Sequence, residues 1–223
     1  MSLRLVLIAA VVLLLLPCAL LARGGVYVDD FTVTNDGKVV FSDNFDSGNL
    51  DQWTNLAAAT VPCDAEGKRC CMHLNMHTDT DSGNAVHQMS IDTPGFLEVS
   101  WLQWIAAANE QARHNVTGLH LLVSVHCQDP KHWIAAETML CANVDQPALD
   151  ISVDNVQKSC KVQIPTAKWV QMILRFDPKT STISLLADNK VVGTDKYDPG
   201  VFNNLTYVRL ESGLGDGTQR RRR

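Results

Sequence analysis

Basic charge is scarce in this 223-residue chain: 19 Lys and Arg stand against 24 Asp and Glu, giving a formal net charge of −5. An acidic chain whose one basic block is Arg220–Arg223 lacks the continuous positive surface that phosphate backbones require, so nucleic acid is excluded as a general partner. Glutamate is scarcer still. Of the acidic residues 19 are aspartate, a residue that favours turns over helix interiors and so points to an all-β chain. Charged residues make up 19% and hydrophobic residues 46% of the sequence, which rules out a disordered composition and supplies enough apolar side chains for a core. No linker rich in Pro, Gly or Ser divides the chain, and its length suits one domain or at most two small ones.

Long apolar runs are confined to the start. Arg4, the run Leu5–Leu16, Pro17 and the small residues Ala19 and Ala22 read as a secretory signal over residues 1–22, cleaved after Ala22. A membrane anchor would need about 18–20 uninterrupted apolar residues, and Pro17 arrives too early. A lipid-anchored Cys18 is opposed by the proline before it. The expected product is a secreted chain with no membrane partner once the signal is removed. Six cysteines then remain, Cys63, Cys70, Cys71, Cys127, Cys141 and Cys160. In an oxidising compartment they predict up to three disulfides with 15 possible connectivities. Paired C-x-x-C spacing is absent, which argues against zinc. Sequons at Asn115 and Asn204 offer glycosylation sites on turn-like segments.

Short alternating or aliphatic runs separated by Gly, Pro, Asn and Asp predict strands near Val26–Thr34, Lys38–Ser42, Met72–Met76, Phe96–Trp104, Leu119–His126, Ile134–Leu140, Leu149–Val153, Cys160–Ile164, Trp169–Phe176, Thr182–Ala187, Lys190–Thr194 and Tyr207–Glu211. Only Ile105–Arg113 has helix-forming composition. Reversals at Asp177–Thr180 and Asp188-Asn189 make Trp169–Thr194 a three-stranded meander. This spacing predicts an antiparallel two-sheet β-sandwich over residues 25–217, with a disordered basic tail over 218–223.

The run WVQMILRFDPKTSTISLLADNKVVGT, Trp169 to Thr194, resembles the hairpins of concanavalin A-like lectin/glucanase and laminin G-like jelly rolls. VVFSDNFDSGNLDQWTN, Val39 to Asn55, is similar to the opening segment of many secreted domains of that superfamily. VYVDDFTVTN, Val26 to Asn35, resembles their closing strand yet stands first here, and Tyr207–Gly213 resembles the strand that precedes it. The resemblance therefore implies a jelly roll whose strand order is rotated. The stretch Cys63 to Lys161 carries no such likeness.

Superfamily glucanases carry an E-x-D-x-x-E or E-x-D-x-E strand. Here the nearest segment is Asp150-Ile151-Ser152-Val153-Asp154, whose two aspartates sit about 13 Å apart along a strand, whereas retaining hydrolysis needs carboxyls about 5–5.5 Å apart. The segment reads better as the wet face of a sheet. Glu98 and Glu137 fall on strands without an acidic companion nearby in sequence. The sequence thus leans away from an enzyme and leaves catalysis open. His73, Asn75 and His77 share a strand face ahead of Asp79 and Asp81, with His87 as a further ligand candidate, yet two imidazoles at this spacing make a polar strand face more readily than a zinc site. The resemblance implies calcium, for which Asp29, Asp30, Asp43, Asn44 and Asp46 cluster in sequence. Sugar stacking calls for exposed aromatics: Trp133 follows a turn, and Trp101 and Trp104 lie on opposite faces of one strand, while the resemblance implies core positions for Trp53 and Trp169.

The sequence therefore favours a secreted, non-catalytic jelly-roll module that binds carbohydrate or another extracellular surface. A glycan-cleaving glycoside hydrolase or lyase with unrecognised acids is the alternative, and a structural or adhesion domain with an extracellular protein partner is the third reading.

Overall fold

A computed structural model describes residues 25–64, 67, 69–75, 83–105, 118–141 and 147–213. They form fifteen strands in chain order: β1 Gly25–Asn35, β2 Lys38–Asp43, β3 Thr54–Ala57, β4 Ala59–Thr60, β5 Met72–Asn75, β6 Gly83–Ile91, β7 Leu97–Ile105, β8 Gly118–Cys127, β9 Trp133–Cys141, β10 Ala148–Val153, β11 Val156–Gln163, β12 Val170–Asp177, β13 Thr182–Ala187, β14 Lys190–Lys196 and β15 Leu205–Gly213. The eight-stranded sheet runs β14-β13-β12-β7-β1-β5-β4, with β2 also paired to β1, and the seven-stranded sheet runs β11-β10-β9-β8-β15-β6-β3. Every strand pair is antiparallel. This is the sandwich that the strand spacing predicts.

Local chemistry explains the hairpins. Asp36-Gly37, Asp154-Asn155 and Asp188-Asn189 all take positive φ between strand ends that pair directly, the two-residue turn whose twist matches that of its strands. Period-two alternation then sorts the side chains. On β12, Val170, Met172, Leu174 and Phe176 point inward while Gln171 is exposed, and on β8 Leu121, Val123, Val125 and Cys127 do the same. Each fully buried aliphatic or aromatic side chain contributes about 1.5–3 kcal/mol. One polar link crosses this core: Gln103 of β7 donates from Nε2 to Thr138 Oγ1 of β9 at 3.1 Å and accepts at Oε1 from Trp101 Nε1 at 3.0 Å.

The sandwich is sealed along one side where β11 meets β14. A Cβ on Gly193 would stand 2.3 Å from Cys160 Sγ, so only glycine lets the two strands approach this closely. The segment that resembles a closing strand, β1, is central in its sheet, between β7 on one side and β2 and β5 on the other.

β6 escapes the sequence pattern. GNAVHQMSI mixes polar and apolar residues without clean alternation, and its pairing with both β15 and β3 makes it a strand. The expected helix at Ile105–Arg113 is corrected at its first residue, which ends β7; residues 106–113 lie outside the described set, as do the expected signal over 1–22, Asn115 and the tail 218–223. Among the described residues no helix is long and apolar enough to cross a membrane.

The disulfide expectation is also revised. Cys63 and Cys70 are bonded, and Cys71, the next residue, is buried in the core. Cys127 and Cys160 are thiols, each pushed up to about 11 by burial. They sit on strands three places apart in the seven-stranded sheet, about 14 Å, beyond the span of a disulfide. Cys141 closes β9, and its side chain lies outside the described set.

Candidate functional site

The core takes one face of the seven-stranded sheet, and its other face gathers three rows of side chains from strands distant in sequence. Register places Asp150 opposite Glu137, Glu137 opposite Leu122, Leu122 opposite Glu211 and Glu211 opposite Asn84. The next row is Ser152, Ala135, Ser124, Arg209 and Val86, and beyond it stand Trp133, His126, Tyr207 and Gln88. His120 of β8 lies beside the acidic row, opposite Gly213.

These polar groups are sunk into the face. Asp150 is 3%, Glu137 7%, Ser124 0% and His126 9% exposed. The alternation in Asp150–Asp154 is therefore real, but the expected wet face is buried for Asp150 and Ser152. Burial demands partners. Glu137 accepts a hydrogen bond from Gln157 Nε2 of β11 at Oε2, and His120 Nε2 stands 3.2 Å from its Oε1. Arg209 donates from Nε to Asn84 Oδ1 at 2.8 Å and pairs through Nη2 with Glu211 Oε2 at 2.9 Å.

The aromatic row is built by stacking. The His126 ring lies 4.3 Å from Tyr207 at 14° and 6.0 Å from Trp133 at 21°. Its Nε2 shares a 2.8 Å hydrogen bond with Ser124 Oγ. Burial, and then the Arg209 charge, pull His126 down to about 4, so the ring is neutral at pH 7. Burial also lowers His120, against the opposing pull of Glu211. Trp133 is held at its backbone, where its N–H donates to Asp154 Oδ1 at 2.9 Å, while Asp154 Oδ2 meets His132 Nδ1 at 3.0 Å. Asp154 is thus a hairpin residue that fixes Trp133.

Of the three tryptophans expected to stack on sugar, Trp133 reaches this face and is half-buried. Trp101 is 1% exposed in the core, and Trp104 is buried on the outer face of the other sheet, edge-on to Tyr27 at 5.3 Å. Both corrections follow from packing: inter-sheet contact takes Trp101, and Tyr27 covers Trp104. Glu98 lies on the other sheet, paired with Arg175 Nε at 2.6 Å, so it does not join Glu137. What sequence reading missed is the pairing of Glu137 with Asp150, thirteen residues away, and the arrival of Glu211 and Arg209 from β15. The period-two pattern of each strand marks these residues as sharing a face, and only strand order brings them into one row.

His73 is buried and stacks on Tyr27 at 4.3 Å, whereas His87 stacks on Phe41 at 3.4 Å and meets Gln52 O through Nδ1 at 2.8 Å. The two imidazoles are held by different neighbours, His77, Asp79 and Asp81 lie outside the described set, and the Asn75 side chain does too. Among the described residues no three His, Cys, Asp or Glu side chains form a metal-holding group. The calcium expectation loses Asp43, whose Oδ2 accepts from Trp53 Nε1 and Oδ1 from Phe45 N, both at 2.8 Å. Asn44 Nδ2 donates to Asp46 Oδ2 at 2.8 Å. Asp29 is raised to about 6, first by its burial, with Asp30 and Asp46 adding to the rise and Arg69 opposing it. Asn204 is exposed, donating from Nδ2 to Asn203 Oδ1 at 2.9 Å.

No protein-family model and no curated protein matches the sequence. Solved structures do match the fold. Lectin II from Ulex europaeus aligns with a TM-score of 0.56 at 13% identity, covering 83% of this chain and 93% of that one. An endo-1,3-beta-glucanase from Streptomyces sioyaensis gives 0.57 at 12% identity, covering 85% and 88%. The apo Crh5 transglycosylase gives 0.51 at 15% identity, covering 88% and 73%. The chain has the concanavalin A-like lectin/glucanase fold.

Proposed function

We propose that the protein is an exported, non-catalytic module that binds a carbohydrate chain on the outer face of the seven-stranded sheet. The observation that carries this reading is the Trp133–His126–Tyr207 row beside a row of carboxyl, amide and guanidinium groups. Aromatic rings accept the C–H faces of sugars, and fixed polar groups beside them read hydroxyls. Neighbours in fold are named as a lectin, a glucanase and a transglycosylase, which supports a glycan as the ligand class. The Cys63–Cys70 disulfide supports an oxidising compartment. Polysaccharide co-sedimentation tests the proposal: wild-type protein is retained, and Trp133→Ala weakens retention about tenfold, the worth of one aromatic contact. A wild-type protein that no polysaccharide retains overturns it.

One observation favours a second reading, glycan cleavage. Asp150 and Glu137 are directly opposed on adjacent strands, which sets their Cβ atoms about 4.5–5.5 Å apart, close to the carboxyl spacing of about 5–5.5 Å in retaining glycosidases. One carboxylic acid would protonate the glycosidic oxygen while the other, as carboxylate, attacks the anomeric carbon. Binding stands first because both groups are buried and Glu137 is already engaged by Gln157 and His120. Release of reducing ends, lost in Glu137→Gln and in Asp150→Asn, would establish cleavage; an inactive wild type removes it.

The residues present do not fit calcium: Asp43 is engaged with Trp53 and Phe45, Asp46 accepts from Asn44 Nδ2 and Cys70 N, and Asp29, Asp30 and Asp46 form no metal-holding group among the described residues.

A further inference from the structure

We infer that His126 is a positioning residue for the sugar platform: it holds the Trp133 and Tyr207 rings upright on the sheet, and a sugar meets their outer faces rather than the imidazole. This role rests on the carbohydrate reading above and deepens it. Register supplies the arrangement. His126 of β8 is the cross-strand partner of Trp133 on β9 and of Tyr207 on β15, so its ring is the middle one of three on neighbouring strands. The His126 and Tyr207 centroids are 4.3 Å apart, with planes 14° from parallel, close to the strand spacing of about 4.7–4.9 Å. Rings lying flat on the sheet could not come so near, because the carbons of their facing edges need about 3.5–4.0 Å between them. The two rings therefore stand edge-up, face against face, and Trp133 continues the stack at 6.0 Å and 21°.

The stack decides which faces a ligand can reach. One face of the imidazole lies against Tyr207 and the other against Trp133, and the residue is 9% exposed. Its Nε2 is engaged as well, in the 2.8 Å hydrogen bond with Ser124 Oγ, on a residue 0% exposed. A sugar needs an open aromatic face, which leaves the side of Trp133 turned toward β10 and the side of Tyr207 turned toward β6. Without the middle ring these two would stand two strand spacings apart, about 9.5 Å, too far to touch. Each would regain rotamers that binding must then freeze, whereas a ring already held in place binds without that loss. Trp133 keeps a second support in Asp154, which accepts from its backbone N–H and also meets His132. The role also requires a neutral ring. Arg209 of β15 stands in the next row, with Glu137 of β9 and Glu211 of β15 one row beyond and His120 farther along β8. Burial, and then the Arg209 charge, hold His126 down to about 4. A protonated imidazole would set a second cation near Arg209 and draw the ring toward water, out of the stack.

The test measures polysaccharide retention and, without ligand, the three-bond χ1 couplings of Tyr207. Three full-length chains are compared: wild type, His126→Ala, and a double variant with His126→Phe and Ser124→Ala, which restores a flat ring and leaves no orphaned hydroxyl. His126→Ala is expected to weaken retention about tenfold and to average the Tyr207 couplings over several rotamers. The double variant should keep single-rotamer couplings and recover most of the lost retention. At pH 4, where half of the imidazoles carry the proton, wild-type retention should fall about twofold further than that of the double variant; the carboxyl groups of the face are common to both. Unchanged retention in His126→Ala, or single-rotamer couplings there, overturns the proposal. So does a folded double variant that loses as much as His126→Ala, because the imidazole nitrogens would then be the sugar contact. Should His126→Ala not fold, the pH comparison decides, and identical profiles overturn the proposal. Averaged couplings in His126→Ala with no polysaccharide retained by the wild type leave the ring-holding role standing and remove the sugar reading alone.

Discussion

The two sheets share a core and differ in what they place on their outer faces. On the eight-stranded sheet the outward residues of β7 and β12 include Glu98 and Arg175, a pair whose side chains are 30% and 35% exposed, with Phe96 beneath the guanidinium at 5.6 Å. On the seven-stranded sheet the outward residues include Ser124, Asp150, Glu137 and His126, all buried. Burying polar groups outside a core does nothing for hydrophobic stability and obliges each one to find a partner. The eight-stranded sheet shows that this fold does not require such an arrangement along both faces. Polar groups buried on the outer side of three adjacent strands, β8, β9 and β10, where β7 and β12 of the other sheet bury none, mark that face as a place shaped by something besides stability.

That contrast can be broken by experiment. The largest effect should come from the shared core: Trp101→Ala, which empties a 1% exposed position and removes one of the hydrogen-bond partners of Gln103, is expected to lower stability by about 3–5 kcal/mol in denaturant unfolding, against about 1.5 kcal/mol or less for Trp133→Ala. Equal losses would mean that Trp133 belongs to the core. The next comparison is sharper because two arginines are equally exposed, at 35% each. Arg209→Ala removes the cation from a face with three carboxyls and should cost about 1.5–3 kcal/mol. Arg175→Ala on the other sheet should cost about 0–1 kcal/mol. A matched pair of losses would erase the difference between the faces.

The last comparison is the pH response. His126 is held near 4 in the folded protein and returns to about 6.5 on unfolding, so the unfolded chain binds the extra proton. Its contribution is fully present above pH 6.5 and is lost as pH falls towards 4. Between pH 7 and pH 5 the loss should be about 1–2 kcal/mol. His120, lowered by burial, acts in the same direction, so His126→Asn should shrink the slope without abolishing it. Stability that is flat across this window would show that the outer face is open to water.

Much of the fold is legible residue by residue. The Trp169–Thr194 meander follows from its alternation and from Asp188-Asn189, because side-chain period and turn chemistry act over a few residues. Trp133 is legible too, as an aromatic just past a turn. β6 is not, since GNAVHQMSI has no clean period and becomes a strand through two partners. Cys127 and Cys160 are not, because pairing depends on distances that sequence separation does not encode.

By itself the sequence determined the antiparallel class, the hairpins and which side of the cleanly alternating strands turns inward, all consequences of backbone geometry repeating every two residues. Only the tertiary structure decided that Glu137 meets Asp150, that Glu211 and Arg209 enter the same face from β15, and that Glu98 stands on the other sheet with Arg175. Lateral neighbours are set by sheet order and register. Those arise from the packing of the whole core, so residues that share a site need share nothing in sequence.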